Sequence, residues 1–398
     1  MIVYISTFLP PSQKQTLQCA NKNFNPYSAH NLSFSIFEGL SQQLASHELK
    51  VINIPPVGNY PKCTSARKVR HSLEVVNGIT IETVGFSTLF LYNYLNIPYN
   101  IYNCIKKYEK CKDLVFLIYD LNINAIRACK RVLKNNPTAR IVYIIPDFLE
   151  DVYNGTLKAN LKMKLMGNPQ EFYKLASGFV LLTEQMTDKV GKNKPYCVVE
   201  GMINSSEIRR KSQNIEDANF KILYSGMLYE KFGVKNLIEA FLAINNPNLK
   251  LQICGCGELE DYIKAYSVID TRIDFLGMIP REEVIRYQEA ADLLVNPRQP
   301  KGNFTRYSFP SKTIEYMASG TPLLMYKLPG VPSEYYEYCF YLNGDQLDVE
   351  SLIEKLHMIV AMKNEDLIAV GLRAKEFIIK EKSSVKQCEK IVSLIKRI

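Results

Sequence analysis

Three glycine-bearing loops in the second half of the sequence carry residue types that could hold an anion. The first is Tyr224–Phe241, in which Gly226 closes an apolar run, Lys231 follows on the loop and Gly233 opens a helical pattern. Glycine lets backbone approach a ligand closely, and a lysine so placed can reach a phosphate. The second is Leu251–Ile263, with Gly255 and Gly257 between a strand and a helix and Glu258 beside them. Exposed amides there, together with the helix dipole, would favour an anion. Glu260 stops the G-x-G short of G-x-G-x-x-G, which disfavours a dinucleotide fingerprint. The third loop, Phe304–Pro322, is the most informative. Pro310 suits a first helical turn, Gly320 the helix stop and Pro322 the position just beyond. Ser308, Ser311 and Lys312 then gather at the positive end of a short helix. Glu315 follows one turn after Ser311, where a carboxylate can accept both hydroxyls of a ribose. Arg298, just past another apolar run, is a further cation for a phosphate.

The first half offers carboxylates. Asp147 directly follows an apolar run and either faces a ligand, orienting or deprotonating a hydroxyl, or caps a helix. Asp120 stands in the same relation to the run before it, and there the cap reading is favoured, since Asn122 and Ile123 begin a helical pattern. The stretch Asn21–Asn31 contains Asn25, Tyr27, His30 and Asn31, whose aromatic and amide groups suit sugar or lipid contact, or surface packing.

The elements that must position these residues alternate along the chain. Strands are predicted at Ile2–Ser6, Lys50–Ile54, Leu114–Tyr119, Arg140–Ile145 and Gly178–Leu182, with helices at Leu32–Ala45 and Ile123–Lys134 between them. After a polar stretch, Asn204–Asn219, strands restart at Phe220–Ser225, Leu249–Cys254, Arg272–Leu276, Asp292–Asn296 and Pro322–Met325. Helices are predicted near Val234–Leu242, Glu258–Ala265, Arg281–Ala290 and Pro310–Ser319, and the tail from Val349 is helical. Apolar strands separated by helices argue for parallel sheets covered on both faces. The expected architecture is α/β: two doubly wound Rossmann-like domains facing a cleft, with ligands beyond the carboxyl ends of the strands. The expected boundaries are 1–203, 204–375 and a C-terminal helix, 376–398, packing back on the first domain.

Composition narrows the class. The chain has 398 residues, 47% hydrophobic and 22% charged, as in an ordinary globular protein with two cores. Its net charge of +9 lies wholly in residues 1–200, which carry 23 Lys+Arg against 14 Asp+Glu. Such a half suits an anionic partner or a solvated surface. Lys62, Arg67, Lys68 and Arg70 form one basic run and Lys158, Lys162 and Lys164 another. Both could touch anionic lipid. Nucleic acid is disfavoured, because aromatic and basic residues do not interleave. Ten cysteines with no C-x-x-C, four scattered histidines and no D-x-D give no metal-ligand spacing. No metal or cofactor is expected, and thiols in this number point to a reducing cytoplasm. The N-terminus reads as a core strand rather than a signal peptide, and no apolar run reaches a membrane span.

The second half resembles the nucleotide-sugar-binding half of glycosyltransferase family 4, enzymes of the GT-B fold. The likeness rests on Gly226 and Lys231, Ile253–Glu258, FLGMIP at Phe275–Pro280, ADLLVNP at Ala291–Pro297 and IEYMASGTP at Ile314–Pro322, in order and correctly spaced. The first half looks like the subset found in bacterial capsular and exopolysaccharide clusters, at Ile144–Val152, Gly178–Met186 and Val198–Ile203. The resemblance implies that Gly226 and Lys231 hold the donor phosphates, that Gly257 and Glu258 lie in the donor pocket, and that the Gly277–Met278 backbone touches the base. Glu315 would be the second glutamate of the E-x7-E motif, on the ribose, within a donor site that includes Tyr307, Ser308, Phe309, Ser311 and Lys312. Tyr307 stands where the first glutamate is usual, which leaves the sugar open. Met227 replaces the usual arginine, so neutralisation would fall on Lys231 with Lys312, Arg306 or Arg298. The implied activity is retaining transfer of a sugar from a nucleotide sugar to a glycan or polyprenyl-diphosphate-linked acceptor, at or near the inner face of the membrane. A nucleotide-sugar 2-epimerase and a non-catalytic binding homologue are the competing readings.

Overall fold

The computed structural model describes residues 1–21, 27–148, 169–204, 219–343 and 347–398. The chain divides into two units, Met1–Asn204 with Ser384–Ile398, and Ser205–Ser383.

The first unit is built on an eight-stranded sheet. Its strands are β1 (Ile2–Ser6), β2 (Leu49–Asn53), β4 (Ser72–Val76), β5 (Ile79–Thr83), β7 (Val115–Tyr119), β8 (Arg140–Ile145), β9 (Gly178–Leu181) and β10 (Tyr196–Val198), in the order β10-β9-β8-β7-β1-β2-β5-β4. Two short strands, β3 (Lys68–Val69) and β6 (Phe86–Ser87), pair apart from it. All pairs in the large sheet are parallel except β4–β5. Every residue of β1, β7 and β9 is buried, as strands covered on both faces require. The helix Ile123–Asn135 shows how the cover forms. The Asn122 side chain accepts the Asn124 and Ala125 amides at its start, and Ala125, Ile126, Cys129 and Val132 make its buried stripe.

The C-terminal helix, Ser384–Arg397, belongs to this unit. Cys388, Ile391, Leu394 and Ile395 enter the core with Ile36, Phe37 and Leu40 of the helix Tyr27–Ser41. Gln43 Nε2 donates to the Val385 carbonyl at 2.8 Å, and the Cys388 thiol points at the Ile36 carbonyl. The expected handover at residue 376 falls inside a continuous helix, Asn364–Glu381, and the chain changes unit at Ser383–Ser384 instead.

The second unit carries β11 (Phe220–Ser225), β12 (Leu249–Cys254), β13 (Ile273–Gly277), β14 (Leu293–Asn296), β15 (Leu323–Tyr326) and β16 (Phe340–Leu342), all parallel, in the order β13-β12-β11-β14-β15-β16. The strand order reverses between β11 and β14, and in the first unit between β1 and β7. Ligands of such sheets bind outside the carboxyl ends at that reversal.

Some expectations are corrected. The helix expected at Leu32–Ala45 begins at Tyr27, so Tyr27, His30 and Asn31 lie on it rather than on a loop, and a short helix, Lys14–Ala20, precedes it. The helix expected from Pro310 begins at Lys312, because Pro310 instead accepts the Thr313 amide from the turn before it. The β4–β5 hairpin was not foreseen, nor were β10 and β16. The stretches 205–218 and 149–168, which include most of the expected linker and Lys158, Lys162 and Lys164, lie outside the described residues.

Candidate functional site

The loops beyond β11 and β12 run side by side. The Gly226 amide donates to the Cys254 carbonyl at 2.9 Å and the Leu228 amide to the Cys256 carbonyl at 2.9 Å. Gly255 has a φ of +145°, and a Cβ there would lie 1.8 Å from the Gly226 carbonyl oxygen, so no other residue fits. The amides expected to be exposed are therefore committed. That of Gly255 goes to the Gly277 carbonyl at 2.9 Å, and that of Gly257 to Glu260 Oε1 at 3.1 Å. Glu258 Oε1 accepts the Glu230 amide at 3.0 Å and so fixes the short turn Glu230–Phe232 that bears Lys231. The glycines shape the loops, and their amides serve other loops of the chain.

Lys231 and Arg298 converge. Gly233, at φ +78°, packs so closely on the Pro297 carbonyl that a Cβ would come within 2.0 Å of its oxygen. This presses the Lys231 turn against the segment leaving β14. Lys231 Nζ then lies 5.2 Å from the Phe232 ring centroid, and Arg298 Cζ lies 5.6 Å from the same centroid. Arg298 also stacks on Phe304 at 4.4 Å and donates to Ser308 Oγ at 2.8 Å, while Ser308 donates to the Phe304 carbonyl at 2.6 Å. Arg298 is only 9% exposed, whereas Lys231 is exposed and forms no ion pair among the described residues. Lys312, expected as a phosphate ligand, is paired instead with Glu315 Oε1 at 2.8 Å.

Glu315 is held on one oxygen. Oε1 accepts both Lys312 Nζ and Gln288 Nε2, the latter at 2.6 Å, while Oε2 accepts no hydrogen bond among the described residues. Burial pushes its carboxyl up, but the Lys312 charge, the Gln288 and Lys312 hydrogen bonds and Arg281 outweigh that and hold it below the ordinary value. The next residue, Tyr316, is fully buried. Its hydroxyl accepts the Ser225 amide at 2.8 Å and donates to the Ser225 carbonyl at 2.8 Å, at the end of β11. Burial drives this phenol well above its usual range.

The remaining expected donor residues differ in exposure and in their local contacts. Met278 is 71% exposed after Gly277. Arg306 lies 5.9 Å from the ring of half-buried Tyr307. Phe309 is a core residue, 5.3 Å from Tyr335. Ser311 is exposed at the helix start without a side-chain capping bond.

In the first unit, Asp120 directly follows β7 at the strand-order reversal with a φ of +61°. That left-handed conformation costs a non-glycine residue about 1 kcal/mol or more. Asp120 is not the helix cap, a place taken by Asn122. Its Oδ1 accepts the Leu121 amide at 2.7 Å. Burial raises its carboxyl above the usual range, and the Leu121 amide only partly offsets this. Asp147 is exposed beyond β8, and burial together with the charges of Tyr4, Asp120 and Asp147 raises the Tyr119 hydroxyl. His30 is buried, stacks on Phe34 at 5.7 Å and accepts the Leu9 amide on Nδ1 at 3.1 Å, which pins the chain after β1. Asn31 is half-buried, and Asn25 lies outside the described residues. Among the described residues no cluster of potential metal ligands occurs, and no helix is long and apolar enough to cross a membrane.

Gln288, Tyr316 and Ser225 were not foreseen. Gln288 had a visible signal, a polar residue on the face of Arg281–Ala290 that packs inward.

Residues 205–371 match the family model described as glycosyl transferases group 1. No curated protein matches the chain closely enough to count as a relative. Solved structures match along the whole chain. A sucrose-phosphate synthase from Thermosynechococcus elongatus is 14% identical with a TM-score of 0.66, covering 100% of this chain and 98% of that one. A trehalose-6-phosphate structure from E. coli, bound with UDP-2-fluoro glucose, is 13% identical with a TM-score of 0.66, covering 100% and 99%. The Anabaena HepE structure in complex with UDP and glucose is 14% identical with a TM-score of 0.59, covering 100% and 99%. The fold, parallel-sheet Rossmann-like units, is that of the GT-B glycosyltransferases.

Proposed function

We propose that this glycosyltransferase takes a sugar from a nucleotide-diphosphate donor held by its second unit and passes it to an acceptor held by its first. The observation that carries the reading is the placing of Lys231 and Arg298 against Phe232 on the segments that leave β11 and β14, with the half-engaged Glu315 tied through Gln288 to the end of β11. Lys231 and Arg298 would neutralise the diphosphate, and Glu315 Oε2 would accept the ribose hydroxyls. Charge developing on the departing diphosphate would be met by groups already in place, an effect worth about 3–4 kcal/mol for a single donor in the best-measured case. No metal need bridge the phosphates in this scheme.

The acceptor chemistry falls to Asp120. Its carboxyl is raised by burial and stands at the strand-order reversal of the first unit, where it can orient or deprotonate a hydroxyl. Asp147 would assist from the next strand end. The resemblance to family 4 supports transfer with retention, the leaving diphosphate sharing in deprotonation, and a glycan or polyprenyl-linked acceptor in surface polysaccharide assembly. The exposed run Lys62, Arg67, Lys68 and Arg70 would meet anionic headgroups.

The test is incubation with UDP-, GDP-, CMP- and dTDP-linked sugars, followed by chromatography of the nucleotide. Slow release of the nucleotide from one donor, lost in Lys231→Ala, supports the proposal. Conversion of the donor to an epimer without acceptor would replace it with an epimerase, and binding with neither reaction would leave a non-catalytic homologue.

A further inference from the structure

The donor-site reading leaves unexplained why Glu315 is engaged on one oxygen only. The cause is Gln288. Its side chain is 1% exposed, and Nε2 spends its two hydrogens on two acceptors, Glu315 Oε1 at 2.6 Å and Ser225 Oγ at 3.1 Å. The amide cannot be turned over, because its carbonyl oxygen would then face a carboxylate. The residue is fixed from behind as well, since its backbone carbonyl accepts the buried Thr321 hydroxyl at 2.7 Å. Ser225 precedes Gly226, and the Tyr316 hydroxyl holds both its backbone groups. Gln288 thus ties the carboxylate to the strand end from which the Lys231 loop departs.

We infer that Gln288 is a positioning residue of the donor site: it holds Glu315 by Oε1 so that Oε2 is presented to the cis-diol of a nucleoside. The inference rests on the donor-site reading of Glu315. Gln288 touches no donor itself and acts only through the carboxylate. Without it, Lys312 alone holds Oε1, and a single flexible contact permits the carboxylate to turn. A hydrogen bond to a charged group contributes roughly 1.5–3 kcal/mol, which corresponds to about 10- to 150-fold in an equilibrium constant.

The experiment is titration calorimetry of the full chain with UDP, GDP, ADP and CDP, repeated with the 2′-deoxy form of the tightest binder. Gln288→Leu should weaken the ribonucleotide about tenfold or more and the deoxyribonucleotide much less, so that discrimination between them collapses. In Gln288→Glu two carboxylates face each other, and like charges so close share a proton at lower pH. Affinity of that variant relative to the wild type at the same pH should therefore fall as pH rises through the neutral range, the titration of the nucleotide's own terminal phosphate being common to both. A purely structural glutamine would show no such pH dependence. Gln288→Leu added to Glu315→Gln should cost nothing more.

If Glu315→Gln weakens the nucleotide while Gln288→Leu leaves affinity and sugar discrimination intact, the inference fails and the donor site stands. If neither variant changes binding, or if no nucleotide binds the wild type, the donor-site reading fails and takes this inference with it.

Discussion

Replacing Tyr316 with phenylalanine removes one hydroxyl and tests how the second unit holds its site together. The ring still fills its place, so no cavity is opened. What is lost is the side-chain partner, among the described residues, of two buried backbone groups, the Ser225 amide and carbonyl, each 2.8 Å from that hydroxyl. A buried polar group left without a partner costs about 1–3 kcal/mol, so the pair should cost about 3 kcal/mol. For a unit of this size each kcal/mol moves the melting temperature by roughly 2–4 °C. The expected shift is about 6–12 °C in the calorimetric transition of the second unit. Hydrogen exchange should quicken in peptides covering β11, and nucleotide affinity should drop, because Glu315 adjoins the freed residue. A melting shift below about 2 °C with unchanged exchange would show that the Tyr316 hydroxyl is incidental to the stability of the second unit.

Three further outcomes are expected. Lys231→Ala should weaken nucleoside diphosphate binding about tenfold or more, with a shallower salt dependence, read by titration at several ionic strengths. Arg298→Lys should not behave as a conservative change, since the planar fork serves both Ser308 and the Phe304 face; a comparable loss of affinity is expected. Asp120→Asn should lower kcat about 10²- to 10⁴-fold with little change in donor KM, yet stabilise the first unit at neutral pH. The sign follows from a carboxyl raised above its unfolded value. Its favourable contribution is complete below the ordinary carboxylate pKa and is lost as pH rises through the raised one. The stability gap between variant and wild type should therefore widen from pH 4 to pH 7 in denaturant titrations. Wild-type activity should fall on acidification at a higher pH than an ordinary carboxylate would give.

Much of the framework was legible because buried parallel strands write themselves as apolar runs, as in β1 and β8, and β1, β8, β11 and β12 begin and end where the sequence places them even though Lys221, Lys250 and Gln252 interrupt the last two. The β4–β5 hairpin was legible too, through Asn77-Gly78, whose φ values of +52° and +75° make the tight turn that this dipeptide favours. Its strands alternate along Ser72–Thr83 instead of running apolar, so an apolar run does not mark them. Hydrogen bonds between distant loops could not be read. The glycines of the β12 loop announce close backbone approach, but not whether the approaching partner is a ligand or Gly226. Spacing alone also assigned Asp120 to a cap. Asn122 held that place with better geometry, and left Asp120 in the strained conformation that sets it apart.

The most direct measurement is a crystal structure of the full chain with the tightest-binding nucleoside diphosphate. The diphosphate should lie within hydrogen-bond reach of Lys231 and Arg298, with the ribose hydroxyls on Glu315 Oε2. A nucleotide seated away from the carboxyl ends of β11 and β14, with Glu315 still engaged only by Lys312 and Gln288, would contradict that placement.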